Sequence, residues 1–309
     1  MLHITDVMVD QAVTSIEAQS VLSQAFLLFN QKKASMQERI RTQTGDVKLS
    51  TLGAVIPDQG YAGTKVYTTI AGKFQFVILL FSSETGLPLA SFDAGAITRI
   101  RTAACSVIVA KKLASADSKI LAVLGAGIQG EAHAIQMAEA FNLEKINIYS
   151  PNSAPELVKK LEHFCDAKVF NTNIESAIDG ADIIVTATRS AKPLFSGDLI
   201  SNNCFIAAVG SSLPNTRELD DIALEKASTI VVEWRKQSLN EAGDLVLAPA
   251  QLNIEKKIIE IGELLSEESC GQWINEQGIK IYKSVGVGIE DISLAGLAYE
   301  KIQRAQIKS

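Results

Sequence analysis

Three glycines spaced G-x-G-x-x-G, namely Gly125, Gly127 and Gly130, end the apolar run Lys119-Ile120-Leu121-Ala122-Val123-Leu124, which is too short for a helix. From Glu131 onward Ala134, Met137, Ala138 and Phe141 recur on one helical face, so the stretch reads as strand, tight turn, helix. A dinucleotide needs each part: Gly125 permits the turn, Gly127 lets backbone approach a pyrophosphate, and Gly130 lets helix pack on strand. The loop residues Ala126, Ile128 and Gln129 complete the phosphate cradle, because the first N–H groups of a helix have no partner within it and carry partial positive charge. Three further stretches end apolar runs in small or hydroxylated residues: Thr186-Ala187-Thr188, Val209-Gly210-Ser211-Ser212 and Ser284-Val285-Gly286. Such residues are ordinary turn formers. Taken with the glycine motif they are expected to meet a ribose and a nicotinamide, since ligands of open α/β sheets lie beyond the carboxyl ends of the strands. The second strand ends in Tyr149-Ser150-Pro151-Asn152-Ser153, with no carboxylate where NAD binders place one on the ribose hydroxyls. Ser150 and Asn152 are the candidate ribose contacts. Without a carboxylate to repel a 2′-phosphate, NADPH is the expected cofactor, with NADH the alternative because no arginine stands beside the site.

The elements that position these residues follow from hydropathy period and turn residues. Residues 1–35 read as largely helical, with Asp10 or Thr14 as the cap of a helix bearing Ile16, Val21, Leu22, Ala25, Phe26 and Phe29. From Met36 to Ala90 the pattern is strand-like: 47–49, 54–56, 64–70 and 74–81, with a hairpin turn over 83–88, as expected of an antiparallel meander. A helix follows over about 96–114. Strands over 120–124, 145–150, 168–170, 181–188, 204–210 and 229–232 then alternate with helices, which predicts a parallel, doubly wound sheet. A strand over 279–286 and a helix over 290–308 close the chain. The expected fold is α/β: a Rossmann domain over 115–282 inserted into an α+β substrate and dimerisation domain made of 1–114 and 283–309.

A net charge of -6 offers no basic footprint for nucleic acid. No apolar run reaches the roughly 18 residues of a membrane span, and the N-terminus lacks a charged-then-apolar leader, so a cytoplasmic setting is expected. Cys105, Cys165, Cys204 and Cys270 show no C-x-x-C spacing, and three histidines make a metal cage unexpected. His133, His163 and the cysteines are read as structural.

The order of Thr98-Arg99-Ile100-Arg101-Thr102-Ala103-Ala104, the glycine loop, residues 181–188, Arg217-Glu218-Leu219-Asp220, Glu241-Ala242-Gly243-Asp244 and Lys283-Ser284-Val285-Gly286 resembles the ornithine cyclodeaminase/mu-crystallin family over nearly the whole chain. The resemblance implies a homodimer acting on small α-amino or α-imino acids, and basic residues that hold the substrate carboxylate. By motif these fall on Arg41, Lys65 and Arg101, the expected catalytic and substrate-binding set, with Arg39 close enough to exchange with Arg41 under a register shift. The chemistry suits them, because an arginine presents a two-pronged fork to a carboxylate and a lysine a point charge.

Two departures bear on activity. Where cyclodeaminases of the family carry an aspartate after Val209-Gly210, this chain has Ser212; where they carry a carboxylate shortly after the first arginine, Leu52 stands near the register. Without those anions nothing evident holds ornithine's distal amine, and the ketimine reductase branch, which has a serine at the place of Ser212, fits better. The expected reaction is reduction of Δ1-pyrroline-2-carboxylate to L-proline, extending to Δ1-piperideine-2-carboxylate and L-pipecolate. Ornithine cyclodeaminase, alanine dehydrogenase and a non-catalytic NADPH-dependent ligand-binding protein are the alternatives. Asp291 either contacts the site or, with Glu290, favours the start of the last helix.

Overall fold

The computed structural model describes residues 1–266 and 277–308; Cys270 lies outside them. Two compact units divide the chain: Met1–Ala104 with Gly286–Ser309, and Cys105–Val285. The division falls inside the helix Gly95–Leu113 and just after a strand ending at Lys283.

The first unit is a seven-stranded sheet: β1 (Leu2–Ile4), β2 (Ser35–Met36), β3 (Ile40–Thr44), β4 (Val47–Ile56), β5 (Tyr61–Ile70), β6 (Lys73–Ser82) and β7 (Pro88–Asp93). The order is β1-β7-β6-β5-β4-β2, with β3 also paired to β4. All pairs are antiparallel except β1 with β7. The separate short strands expected at 47–49 and 54–56 are one strand, paired along its whole length with β5. Period-two alternation sends Leu52, Ala54, Ile56, Ile78, Leu80 and Phe92 to an inner face that is almost fully buried. Each large apolar side chain covered there contributes about 1.5–3 kcal/mol. That face lies under the C-terminal helix Gly288–Lys308, against which helix α2 (Ser15–Asn30) packs. A Cβ at Gly288 would fall 2.4 Å from the Gly53 carbonyl oxygen, so this glycine lets the helix start directly on β4. Of the two expected caps, Thr14 is the one used: its side chain accepts from Glu17 N, and Glu17 returns the bond in a capping box. Asp10 instead pairs with Arg99. Helix α1 (Asp6–Ala12) and β1, which precede α2, are too short for hydropathy period to reveal.

The second unit is a wholly parallel sheet of β8 (Ile120–Leu124), β9 (Lys145–Tyr149), β10 (Lys168–Asn171), β11 (Ile183–Thr186), β12 (Phe205–Ala208), β13 (Ala227–Val232), β14 (Ile258–Glu260) and β15 (Ile279–Lys283). Its order is β10-β9-β8-β11-β12-β15-β13-β14. The doubly wound Rossmann architecture expected from the sequence is therefore present. The order reverses between β8 and β11, the switch point at which such sheets open a crevice. The insertion of β15 between β12 and β13, and the short edge strand β14, were not expected. Among the described residues no single helix is long and apolar enough to cross a membrane.

Candidate functional site

Register aligns the carboxyl ends of the second unit's central strands: Leu124 stands beside Tyr149 and Thr186, Thr186 beside Ala208, and Ala208 beside Lys283. The loops holding Gly125 to Gly130, Ser150 to Asn152, Ala187 and Thr188, Val209 and Gly210, and Val285 thus emerge at one edge. Gly125 has φ +111° and donates its N–H to the Tyr149 carbonyl at 2.8 Å. At Gly130 a Cβ would lie 1.7 Å from the Gly125 carbonyl oxygen, so only glycine seats the helix Ile128–Ala140 against the turn. At Gly127 a Cβ would meet nothing within 4 Å, and that residue and Ile128 are exposed. The loop is closed on the protein side and open on the other. This is the geometry a pyrophosphate needs, so the residues fit a dinucleotide.

The hydroxyls of Thr186 and Thr188, expected to meet ligand, turn inward. The fully buried Glu218 carboxylate accepts from Thr186 Oγ1 (2.8 Å), Thr188 N (2.7 Å), Thr188 Oγ1 (2.7 Å) and Gly210 N (2.8 Å). One carboxylate therefore ties the ends of β11 and β12 together. Its own backbone is held in turn, because Asp244 Oδ1 accepts from Glu218 N (2.7 Å) and Leu219 N (2.8 Å), while Asp244 Oδ2 lies 2.8 Å from Lys283 Nζ. Burial pushes the Asp244 carboxyl up, but Lys283 and the two backbone N–H groups outweigh it and hold it below the usual range. Glu233 does the same for the end of β15, accepting from Ser284 Oγ (2.6 Å) and Val285 N (3.0 Å). Sequence reasoning assigned none of these acids a role. For Glu233 and Asp244 the signal was a carboxylate beside an apolar or small-residue run; Glu218, between Arg217 and Asp220, carried none. Glu218→Gln puts an amide N–H₂ against these donors, and a loss of about 1–3 kcal/mol in a urea melt is the expected result. A melt unchanged from that of the parent would show that the clamp carries no weight.

The first unit gathers charge on its inner sheet face. Lys65, in β5 opposite Leu52 and Ile78, is 3% exposed, and its Nζ donates to Thr98 Oγ1 (2.7 Å) and Asp291 Oδ1 (2.9 Å). Arg101, from the helix Gly95–Leu113, pairs with Glu290 and has Nε 3.5 Å from Asp291 Oδ1. Gly286, expected at the cofactor, belongs to this unit: a Cβ there would press on the Arg101 guanidinium, and its carbonyl accepts from Arg39 Nη2 at 2.6 Å. Burial pushes the Lys65 ammonium down to about 8; Arg101 and Arg39 add to that and Asp291 opposes it. Arg39 is thus one of the charges acting on Lys65. Arg41 stands on β3 opposite Ser50, one step outward from the Leu52–Lys65 pair. Leu52 is buried, and Ser212 is half-buried in the loop after β12.

His133 is fully buried, with Nε2 2.9 Å from Ser106 Oγ and Nδ1 2.7 Å from the Gln129 carbonyl. Cys105 and Cys204 are buried, and burial pushes the Cys204 thiol up. Among the described residues no group of three or more His, Cys, Asp or Glu could hold a metal ion.

The profile of the ornithine cyclodeaminase/mu-crystallin family matches residues 1–306. The chain belongs to this family. Within it, a Δ1-pyrroline-2-carboxylate reductase from Bacillus cereus is 34% identical over 254 residues, 80% of this chain and 75% of that one. A solved structure of a probable ornithine cyclodeaminase from Bordetella pertussis Tohama I superposes with a TM-score of 0.95 at 51% identity, covering 99% of this chain and 98% of that one. A third family fold is that of Thermococcus litoralis Δ1-pyrroline-2-carboxylate reductase, solved with NADH and L-proline. It superposes at a TM-score of 0.92 and 27% identity over 99% and 98% of the two chains.

Proposed function

We propose that the protein is an NAD(P)H-dependent reductase of cyclic 2-imino acids that converts Δ1-pyrroline-2-carboxylate to L-proline and the six-membered homologue to L-pipecolate. The observation that carries this reading is the cation cluster on the inner sheet face: buried Lys65 and Arg101 stand beside Glu290 and Asp291, and Arg39 acts on Lys65 as a further positive charge. In this reading the substrate carboxylate binds at Lys65 and Arg101. Leu52 and Ser212 offer no anion for a second amine, which favours an imine without a charged side chain.

In this reading Arg101 and Arg39 fork the carboxylate, Lys65 fixes its second oxygen, and Arg41 guards the rim. Holding the acid group orients the ring, and orientation supplies much of the rate in such transfers. The substrate enters as the iminium, the better electrophile: C2 gains the hydride, the C=N π pair becomes the nitrogen lone pair, and the ring nitrogen keeps its proton. A dinucleotide whose pyrophosphate is held at the Gly125–Gly130 loop would supply the hydride. NADPH is the preferred form, because the segment 150–153 holds no carboxylate against a 2′-phosphate, and NADH is the second choice.

The face of the first unit's sheet opposite Lys65 carries Val47, Leu49, Val55, Ile70 and Val77 at 44–49% exposure. An apolar face of this kind on a family member is best covered by a second copy, so the working form is a homodimer.

The second reading, ornithine cyclodeamination, is favoured by the likeness to the Bordetella protein. Purified protein assayed with Δ1-pyrroline-2-carboxylate plus NADPH or NADH, against ornithine plus NAD and alanine plus NAD, separates the readings. Oxidation of NADPH by the imine is the expected result. Conversion of ornithine to proline and ammonia with no imine reduction would overturn it. Tight NADPH binding without turnover of any of these would instead favour a ligand-binding protein.

A further inference from the structure

The inner face of the first unit's sheet continues past the cations in register. Lys65 stands between Leu52 and Ile78; the next row holds Arg41, Ser50, Tyr67 and Phe76; beyond it Phe74 stands opposite Thr69. Residues directly opposite in antiparallel strands share a face, and so do residues two apart along one strand. Lys65, Tyr67, Phe74 and Phe76 therefore all look the same way. Tyr67 and Phe76 have ring centroids 5.2 Å apart, and Phe74 stacks on Phe76 at 5.7 Å. Lys65 Nζ lies 4.6 Å from the centre of the Phe76 ring.

Exposure sets these rings apart from the core. Ile78, Leu80 and Phe92 on the same face are fully covered, whereas Phe74 is 44% exposed and Tyr67 and Phe76 are half-buried. Stacked aromatic rings left open to water are unfavourable unless something apolar covers them. In the row of Tyr67 and Phe76, Ser50 is fully buried, and its Oγ has no hydrogen-bond partner among the described residues. A buried hydroxyl without a partner costs free energy that a ligand oxygen or nitrogen at this row would recover. An anion held at Lys65 thus has an unfilled polar contact beside it and an uncovered aromatic shelf next in line. The shelf is three rings wide, more than a five-membered ring can cover.

We infer that Tyr67, Phe74 and Phe76 form the side-chain subsite of this enzyme, and that it prefers 2-imino acids bearing a bulky apolar or aromatic group over those bearing a small one. The inference rests on the reductase reading and extends its substrate class from the small cyclic imines to 2-imino acids with a bulky side chain.

The test compares two imines formed in solution from methylamine, one with pyruvate and one with phenylpyruvate, alongside Δ1-pyrroline-2-carboxylate, with NADPH oxidation as the readout. Covering a phenyl ring on an apolar wall is worth about tenfold or more. The phenylpyruvate imine is therefore expected to exceed the pyruvate imine by about tenfold or more in kcat/KM. Phe74→Ala, a change at an exposed position whose folding a thermal melt checks, is expected to bring the ratio near one. A parent ratio of one or less, or a ratio that Phe74→Ala leaves unmoved, overturns the subsite while leaving imine reduction standing. Absence of reduction with all three imines overturns the reductase reading and this inference with it.

Discussion

Lys65→Met is expected to lower kcat/KM for imine reduction by about 10²- to 10³-fold, the loss that follows removal of one partner from a buried, hydrogen-bonded charge cluster. The same change strands Asp291, which is fully buried, and so should also lower stability by about 3–5 kcal/mol. Lys65→Met combined with Asp291→Leu separates the two effects: stability should largely return while activity stays lost. Arg101→Lys keeps the charge but not the fork, and a smaller loss expressed mainly in KM is expected.

The pH profile of the parent enzyme tests the same residue. With the free-enzyme ammonium at about 8, the carboxylate meets a full cation at neutral pH and a neutral amine above it. Accordingly kcat/KM should be flat below about pH 8 and fall by about tenfold per unit above it. A bound carboxylate favours the charged lysine, so kcat at saturation should hold to higher pH. Stability runs the other way. Folding depresses this lysine below its unfolded value of about 10.4, so between about pH 8 and 10.4 the unfolded chain binds more protons, and the penalty of burying the cation is relieved as pH rises. Urea melts at the two ends of that window should show a gain that Lys65→Met lacks. A kcat/KM profile independent of pH from neutrality to strongly alkaline conditions would remove Lys65 from substrate binding.

At the glycine loop two substitutions of the same size should behave oppositely. Gly130→Ala drives a Cβ to 1.7 Å from the Gly125 carbonyl oxygen, backbone against backbone, so the helix Ile128–Ala140 has to move. Overpacking of this kind costs about 1–3 kcal/mol or more, and loss of dinucleotide binding should accompany it. Gly127→Ala meets nothing within 4 Å and has an ordinary φ of -80°, so stability should change by no more than about 0.5 kcal/mol. In the proposed binding mode its methyl would meet the pyrophosphate, and NADPH affinity measured by nicotinamide fluorescence should fall by about tenfold or more. A Gly127→Ala protein that binds NADPH like the parent would place the cofactor elsewhere.

Local patterns alone determined a great deal. Gly125, Gly127 and Gly130 act through dihedral freedom and close packing within six residues, so their turn was legible without any partner. The same holds for Thr14 and Glu17, whose capping box closes within one helical turn. Alternation of strands and helices from 120 to 232 was enough to predict the parallel sheet, because short βαβ links allow few other arrangements. The resemblance, carried by several motifs in order, supplied Arg41, Lys65 and Arg101 as candidates.

Only the tertiary structure decided what depends on distant pairing. Arg39 and Arg41 have the same parity on an extended chain, and it is the fold that seats Arg41 opposite Ser50 and brings the Gly286 carbonyl to Arg39. Asp291 meets Lys65 across 226 positions of sequence, and Glu290 meets Arg101 across 189. Nothing in the spacing of those residues encodes the meeting. The placing of β15 between β12 and β13, and the gathering of Thr186, Thr188 and Gly210 onto Glu218, are likewise choices among strand ends that local sequence makes alike. Short-range sequence fixes backbone dihedrals and which face is apolar; the partner of a buried charge is fixed by the fold, because only there does leaving it alone cost enough to select one arrangement.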